Sequence, residues 1–470
     1  MTDALPLDPR TARILPWIIA IAFFMQMLDG TILNTALPAM ARDLNENPLN
    51  MQSVIIAYML TVALLIPASG WIADRFGARR IFYSAIALFS LGSLFCALSQ
   101  TLDQLVLSRI VQGVGGALML PVGRLVILRA YPRTELVRIL SFIALPGLLG
   151  PLLGPALGGW LVEVASWHWI FLINLPVGVL GIWAARRYIP DLRAPEKHRF
   201  DLPGFILFAS ALGMITIALE ALSGHSVSNL HITLLLVLGL ALLAIYWLRA
   251  GRVEHPLFST DLFTHRSFSA GILGNLLARL GSGALPFLTP LLLQVGMGYS
   301  PAQAGMTMIP LALGAMAAKP IIKPLIDRFG YRYVLSTNTM LVGLLIASMA
   351  LVGDHTSTAQ LLIQLGLIGM ANSIQFASMN TLTLIDLHDH QASSGNSMLS
   401  AVVQLSMSIG VAIGGALLSG FEGHLDNLHR SFQATYICLG LMSMLATAIF
   451  FQLDPHNGRK TRSVEPQTLE

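Results

Sequence analysis

The stretch GWIADRFGARR, from Gly70 to Arg80, places four charged residues in a short turn between two long apolar runs. A second stretch, LIDRFGYRY from Leu325 to Tyr333, repeats the string Asp-Arg-Phe-Gly. Glycine permits a tight reversal of the chain at such a turn. The repetition predicts two similar halves, each with this turn between the same two helices.

The composition indicates which solvent surrounds the chain. Its 470 residues are 55% hydrophobic and 11% charged, with a mean hydropathy of +0.70. Soluble proteins carry roughly 25% charged residues, so the lipid bilayer is the expected solvent. Only Cys96 and Cys438 are present, each inside an apolar run, which indicates neither a disulfide framework nor a cysteine-based metal site. The small net charge of +4 disfavours a nucleic-acid partner.

Apolar runs of about 20 residues can cross the hydrocarbon core as helices. Fourteen such runs predict an all-α, polytopic membrane protein. They are 14–38, 51–73, 81–99, 103–127, 138–162, 168–189, 203–223, 231–249, 267–296, 300–322, 333–353, 358–384, 394–419 and 431–452. No cleavage-site pattern precedes the first run, so we expect a retained helix and not a signal peptide.

The positions of Lys and Arg predict the orientation, because these residues accumulate on the cytoplasmic side of membrane proteins. With the N-terminus in the cytoplasm, most of them fall in inner segments, and only Arg42 and Arg430 fall in outer ones. Both termini are therefore expected in the cytoplasm. Two charged, proline-containing connectors set off spans seven and eight. The predicted domains are a six-helix bundle (1–190), linkers with two inserted helices (191–265), a second six-helix bundle (266–455) and a cytoplasmic tail (456–470).

Several motifs together resemble the major facilitator superfamily, in its fourteen-span drug:proton antiporter branch. They are the turn at 70–80 and the segments LDGTILNTALP (28–38), RIVQGVGGAL (109–118), GPLLGPALGG (150–159) and SWHWIFLINLPVG (166–178). The second half matches more loosely, through its own turn and residues 392–418. Within that branch the chain most resembles bacterial multidrug-type permeases of the cell inner membrane. The resemblance implies two bundles around a midplane cavity that opens alternately to either side.

The resemblance also assigns roles to two sets of residues. It implies gating by the turns, where Asp74 could pair with an arginine or with a helix N-terminus. A solvated turn that only sets topology is the alternative, and Ala78 stands where the family usually has a basic residue. The gating set is Gly70, Asp74, Arg75, Gly77, Arg79, Asp327 and Arg328. The antiporter motif is Gly150, Gly154, Pro155, Gly158 and Gly159, which is expected to meet the other half and hinder leakage, or simply to pack helices closely.

Ionisable residues inside a membrane are costly, so each is a functional hypothesis. Asp29 lies in the first span, and a partly dry cavity favours the neutral form of a carboxyl, as a proton-coupling site requires. Arg109 in the fourth span cannot release its proton, but it can act on a nearby carboxyl or hold an anion. The resemblance favours a coupling role for Asp29 and Arg109. Structural hydrogen bonds or ion pairs are the alternative for both.

Further polar side chains in apolar runs are predicted to bind substrate. These are Gln26, Asn34, Gln112, Arg279, Asn372, Gln375 and Asn380. Helix–helix hydrogen bonds are the alternative for the amides, and for Arg279 the alternative is a side chain that reaches toward the lipid headgroups. Since the buried charges are more basic than acidic, a small organic anion, citrate-like or bound as a metal chelate, competes with the lipophilic cations that a multidrug permease exports.

The sequence bears on the energy source and the class of protein. No Gly-x-x-x-x-Gly-Lys-[Ser/Thr] motif occurs, so an ion gradient, most simply of protons, is expected to drive transport. No nucleophile–base pair or metal-ligand set is evident, and we predict no enzyme activity, no cofactor and no metal. An uptake permease is a further alternative to an exporter. The expected partners are a small-molecule substrate, protons and membrane lipids, with the protein a monomer.

Overall fold

The computed structural model describes residues 8–191, 200–222, 228–254, 256–353, 356–425 and 427–454. Every regular element within these ranges is helical, and twelve helices there are long and apolar enough to cross a membrane. The predicted all-α, multi-pass fold is confirmed. The count of fourteen spans stays a prediction, because one of the twelve, Pro301–Leu351, joins two helices across a kink and the helix Arg133–Val164 is not among them.

The first half ends before the connector at residue 191. Its helices are α1 (Pro9–Ile32), α2 (Leu37–Asp43), α3 (Gln52–Phe76), α4 (Ala78–Leu98), α5 (Leu102–Ala130), α6 (Arg133–Val164), α7 (Trp169–Leu172) and α8 (Asn174–Tyr188). A 3₁₀ turn, Leu33–Thr35, continues α1. The predicted sixth span is thus split into a short α7 and a longer α8.

The insert and the second half follow. The insert holds α9 (Leu202–Ala221) and α10 (Asn229–Ala250). The second half holds α11 (Arg266–Ser282), α12 (Leu285–Leu291), α13 (Pro301–Thr307), α14 (Ile309–Ser348), α15 (Thr358–Leu384), α16 (Asp389–Glu422), α17 (Leu428–Leu445) and α18 (Thr447–Phe450). A π-helical turn, Leu292–Gly296, follows α12. The boundaries proposed for the two bundles, 1–190 and 266–455, stay a prediction.

The two Asp-Arg-Phe-Gly turns have the same backbone shape. Gly77 separates α3 from α4 with φ 94° and ψ 129°, and Gly330 interrupts α14 with φ 78° and ψ 164°. A positive φ of this kind is costly for residues with a side chain. The glycine of the repeated string therefore sets the same reversal in both halves.

The hydrophobic cores differ between the two ends of the molecule. We call the end where α1 begins and α18 finishes the terminal end, and the opposite end the distal end. At the distal end, one core joins both halves and includes Ile32, Met51, Leu288 and Leu361. Toward the terminal end, each half has a core of its own, and a further core beneath the insert includes residues of both halves. The halves are therefore packed together at the distal end.

The insert lies beside this pair of halves. One core contains Phe208 and Tyr246 of the insert together with Ala63 of α3 and Met398 of α16. Asp201 fixes the start of α9, because its Oδ1 accepts a hydrogen bond from Gly204 N at 3.0 Å and it forms an ion pair with Arg249 of α10 at 2.7 Å. The two inserted helices thus brace α3 and α16, one helix from each half.

Candidate functional site

The carboxylate of Asp29 is the centre of a buried polar network in the first half. Its Oδ2 lies 2.6 Å from Arg109 Nη1, and the two side chains are each 1% exposed. Its Oδ1 accepts hydrogen bonds from Gln112 Nε2 at 2.7 Å and from Asn174 Nδ2 at 3.2 Å. Since charge-assisted hydrogen bonds are the strong ones, the ionised carboxylate is well held here.

A second set of contacts surrounds this ion pair. Ser93 Oγ accepts from Gln112 Nε2 at 2.8 Å and from Asn174 Nδ2 at 3.2 Å. Arg109 also donates from Nη1 to Oε1 of the Gln112 side chain, and from Nε to the backbone oxygen of Val54 at 3.3 Å. Its guanidinium lies 4.3 Å from the centroid of the Tyr58 ring. The network therefore ties together α1, α3, α4, α5 and α8.

Glycine residues allow these helices to approach closely enough for the network to form. A Cβ on Gly92 of α4 would lie 2.5 Å from the backbone nitrogen of Gln112, and one on Gly115 of α5 would lie 2.5 Å from the backbone nitrogen of Phe89. Arg109 and Gln112 are three residues apart, so they project from the same face of α5. The segment RIVQGVGGAL thus combines the polar pair with the glycines that bring α4 against it.

The hydrogen-bond partners of Asp29 are not the polar residues that lie nearest to it in the sequence. Gln26 and Asn34 are buried in the same region of the chain, but no hydrogen bond joins either of them to Asp29 within the described ranges. The Oε1 atom of Gln26 is buried without a partner. The carboxylate is bound instead by Arg109, by Gln112, which was predicted to bind substrate, and by Asn174, which the sequence did not single out. The only signal for Asn174 is an amide within the apolar segment 166–178.

Arg279 is the corresponding buried charge of the second half. It is 4% exposed, its Nε donates to Asn275 Oδ1 at 3.1 Å, and its guanidinium lies 3.7 Å from the centroid of the Phe376 ring. Among the residues that the structure describes, no carboxylate forms an ion pair with it. A guanidinium in this setting can attract an anion.

The other predicted substrate residues of the second half lie on α15. Gln375 is 1% exposed and bonds to Asn338 at 2.8 Å and to Thr339 at 2.6 Å, so it lies in the contact between α14 and α15. Asn372 and Asn380 each have a buried Oδ1 atom without a hydrogen-bond partner. The contacts of Gln375 are those of the helix–helix alternative, and the substrate-binding role of all three stays a prediction.

The antiporter motif on α6 has two faces. Cβ atoms on Gly150, Gly154 and Gly158 would meet Met27, Thr31 and Ile32 of α1 respectively. One on Gly159 would lie 2.1 Å from Pro301 O, and one on Gly305 would lie 2.1 Å from Pro155 O. Gly150, Gly154 and Gly158 thus face α1, in the close helix packing that was the alternative, whereas Pro155 and Gly159 contact α13 of the other half. The role of the motif in antiport stays a prediction.

Hydrogen bonds join the two halves beside this contact. Ala302 N donates to Glu163 Oε1 at 2.9 Å, and Gln294 Nε2 donates to Thr35 O at 2.9 Å. Both lie at the distal end. The distal contact thus consists of close backbone packing and of directed hydrogen bonds.

The gating turn of the first half forms an ion pair within that half. Asp74 Oδ1 lies 2.7 Å from Arg129 Nη2 at the end of α5, and both side chains are about one-third exposed. Gly70 has open space where a Cβ would be, while Ala78 is fully buried. Arg75 is exposed, and Arg79 is half-buried. In the second half, Asp327 and Arg328 lie at the equivalent turn before Gly330.

The helical topology and the buried network can be compared with known proteins. The model of the Major Facilitator Superfamily matches residues 19–248 and 271–469. The chain belongs to this superfamily. It is a transporter family and not a family of enzymes, so the prediction of no enzyme activity is confirmed.

Curated relatives of this superfamily cover nearly the whole chain. The chain is 49% identical over 458 residues to the "Putative multidrug resistance protein MdtD" of Serratia proteamaculans (strain 568), covering 96% of each chain. It is 50% identical over 450 residues to the protein of the same name from Salmonella typhi, covering 94% of this chain and 95% of the relative. The predicted resemblance to bacterial multidrug-type permeases is confirmed.

Solved structures of other members share the fold. A POT family transporter in complex with a thioalcohol-conjugated peptide superposes with a TM-score of 0.70 at 18% identity, covering 93% of this chain and 95% of that one. A bacterial homologue of the lysosomal transporter Spinster superposes with a TM-score of 0.67 at 15% identity, covering 94% and 97%. At this identity the likeness concerns the fold alone.

Proposed function

We propose that this protein is a proton-coupled secondary transporter that exports small molecules across the inner membrane by alternating access, in the manner of multidrug efflux. The observation that carries the proposal is the buried network of Asp29, Arg109 and Gln112. The name of the relatives, which are called multidrug resistance proteins, supports the substrate class. No cofactor or metal is part of the proposal.

Asp29 is the proposed proton carrier. Arginine stays protonated in proteins, so of the two charges in the pair only the carboxylate can take up and release a proton. Protonation of Asp29 removes the negative charge and leaves Arg109 buried without its counter-ion. An unpaired buried charge is strongly unfavourable, on the order of 3–5 kcal/mol. Proton uptake would therefore disfavour the present arrangement of α1, α5 and α8 and bias the protein toward another one.

The distal contact supports alternating access. Tight packing of the halves at one end and separate cores at the other are expected of a carrier that is open on one side. With both termini in the cytoplasm, as the Lys and Arg distribution predicts, we infer that this state opens toward the cytoplasm. In an exporter, that is the state that would take up substrate.

Flux measurements in proteoliposomes test the coupling. We expect a lipophilic cation added to loaded vesicles to drive proton movement through the wild-type protein. The variant Asp29→Asn should exchange substrate down its own gradient without moving protons. The matched control is Asp103→Asn, an exposed carboxylate in the first turn of α5. Full proton-coupled transport by Asp29→Asn would contradict the assignment.

A second candidate function is export of a small organic anion or its metal chelate. Arg279 favours this candidate. Its side chain is buried over the ring of Phe376 and forms no ion pair with a carboxylate in the described ranges. If this candidate is correct, a di- or tricarboxylate will drive proton flux in wild type and Arg279→Gln will abolish that flux. Unchanged anion export by Arg279→Gln would remove its main support.

A further inference from the structure

A groove of about 660 Å³ runs along the second half, between the C-terminal part of α14 and the α17–α18 junction. Apolar side chains form most of its wall, and Met340, Leu341, Leu344 and Phe451 are each 48–58% exposed. The buried network of Asp29 has no residue in this groove. Because its wall belongs to membrane-spanning helices, bilayer lipid is the material that meets it.

Polar groups occupy one part of the groove. Arg332 lines it near the Gly330 kink, at the terminal end of the molecule. Ser336 and Thr447 line it as well, 4% and 8% exposed, and the hydroxyl oxygen of each is buried without a hydrogen-bond partner. An unsatisfied buried hydroxyl costs about 1–3 kcal/mol, so both are expected to gain from a ligand that carries acceptor oxygens.

The groups along α14 come in the same order as the chemical groups of a membrane lipid. A helix rises 1.5 Å per residue. Measured from Arg332, Ser336 therefore lies about 6 Å along α14, and Leu344 lies about 18 Å along it. Along α14 the groove thus presents a cation, then a hydroxyl donor, then an apolar wall, and Thr447 on α18 supplies a second hydroxyl. A glycerophospholipid presents a phosphate, then ester carbonyl oxygens, then acyl chains, in the same order and on the same scale.

Arg328 adds a second positive charge beside the groove. It lies four residues before Arg332, on the other side of the Gly330 kink, and its guanidinium is 5.3 Å from the centroid of the ring of Phe329, a residue of the groove wall. Two arginines at the level of the headgroups favour an anionic lipid, since each basic residue near such a surface contributes about 1 kcal/mol.

We propose that this groove is a binding site for one anionic glycerophospholipid of the surrounding bilayer, with its phosphate on Arg332 and its ester oxygens on Ser336 and Thr447. The proposal is independent of the transport function. The first half offers a contrast at the equivalent positions of the repeat. Tyr83 stands there in place of Ser336, and Arg186 stacks over its ring at 4.7 Å. Arg79, the counterpart of Arg332, is therefore a matched control.

Native mass spectrometry of the full chain in detergent tests the site. The protein is titrated with phosphatidylglycerol and with phosphatidylcholine of the same acyl chains. We expect wild type to bind one phosphatidylglycerol in preference to phosphatidylcholine. Arg332→Gln should weaken phosphatidylglycerol binding by about tenfold, because it removes a charge-assisted bond. The control Arg79→Gln should leave that affinity unchanged.

Two further variants separate lipid binding from folding. Ser336→Ala and Thr447→Val remove unpartnered hydroxyls, so we expect weaker lipid binding with no loss of thermal stability in lipid-free detergent. The proposal would be overturned if wild type bound the two lipids equally or bound neither. Equal losses in Arg332→Gln and Arg79→Gln would also overturn it. Full displacement of the lipid by inorganic phosphate would do so too, since the acyl groove would then contribute nothing.

Discussion

Asp29 shares its two carboxylate oxygens among three donors from three residues of the first half. Arg109 holds one oxygen, while Gln112 and Asn174 hold the other. Asp29 and Arg109 are each 1% exposed, so both groups have lost their hydration. The cost of that loss largely offsets the Coulomb attraction between them. The surrounding hydrogen bonds compensate for that loss. Such an arrangement is stable while every member is present and sensitive to the loss of one.

A double-mutant cycle on this pair tests that view. We expect Asp29→Asn and Arg109→Gln to lower the free energy of unfolding by roughly 3–5 kcal/mol each, because each leaves its partner buried without a counter-ion. The double variant should lose clearly less than the sum of the two. Thermal unfolding in detergent, followed by circular dichroism, gives the comparison, and Asp103→Asn serves as the neutral control. Additive losses would mean that the two residues act independently.

At the scale of single residues, the sequence was most informative where a charge interrupts an apolar run. Asp29, Arg109 and Arg279 could be found in this way because a buried charge is rare. Asn174 and Ser93 could not, since an amide or a hydroxyl is common in membrane helices. Their importance comes from contacts between helices that are far apart in sequence. The same limit applies to Gln26, which lies three residues before Asp29 and forms no hydrogen bond with it in the described structure, whereas the distant Gln112 does.

Helix α5 illustrates how an element positions the site. Gly115 of α5 and Gly92 of α4 let these two helices approach so closely that Gly92 lies against the backbone of Gln112. The glycines of α6 do the same for α1, and only one edge of that motif, at Pro155 and Gly159, reaches α13. The sequence indicates which helices pack closely, but not which neighbour each glycine faces, because the spacing of small residues is the same in either case. The positions of the turn glycines Gly77 and Gly330 could be predicted, because both halves carry the same Asp-Arg-Phe-Gly string at the turn.

A pair of glycine substitutions tests the close approach of α4 and α5. Gly92→Ala places a Cβ about 2.5 Å from the Gln112 backbone, so α4 must move away. We expect a loss of about 1–3 kcal/mol in stability, as for other overpacked sites, together with weaker proton coupling. Gly213→Ala in α9, with nothing within 4 Å of the added Cβ, should be neutral or slightly stabilising. Melting temperatures and proton flux of both variants are the measurement. A harmless Gly92→Ala would show that this contact is looser than described.

The whole molecule is held together at its distal end. One hydrophobic core there contains residues of both halves, and hydrogen bonds such as Ala302 to Glu163 cross the contact. Toward the terminal end each half has a core of its own, and the core beneath the insert joins α3 of the first half to α16 of the second. The repeated turns predicted two halves, but no pattern in the sequence predicts which end is closed, because both states of a carrier use the same chain.

Cross-linking tests whether the distal contact must open. In a background without Cys96 and Cys438, the variants Glu163→Cys and Ala302→Cys place two thiols across the contact. We expect oxidation to join them and to stop transport, and reduction to restore it, because alternating access requires the distal end to separate. Each single-cysteine variant is the control. Transport that continues at full rate in the oxidised protein would exclude opening at this contact.

The central claim is that protonation of Asp29 drives the two halves between states. Electron–electron distance measurements test it most directly, with one spin-label pair at the distal end (Val164 and Leu351) and one at the terminal end (Phe76 and Arg328), all exposed. We predict that lowering the pH changes the two distances in opposite directions in wild type, and that Asp29→Asn abolishes the response. An equal pH response in Asp29→Asn would contradict the claim.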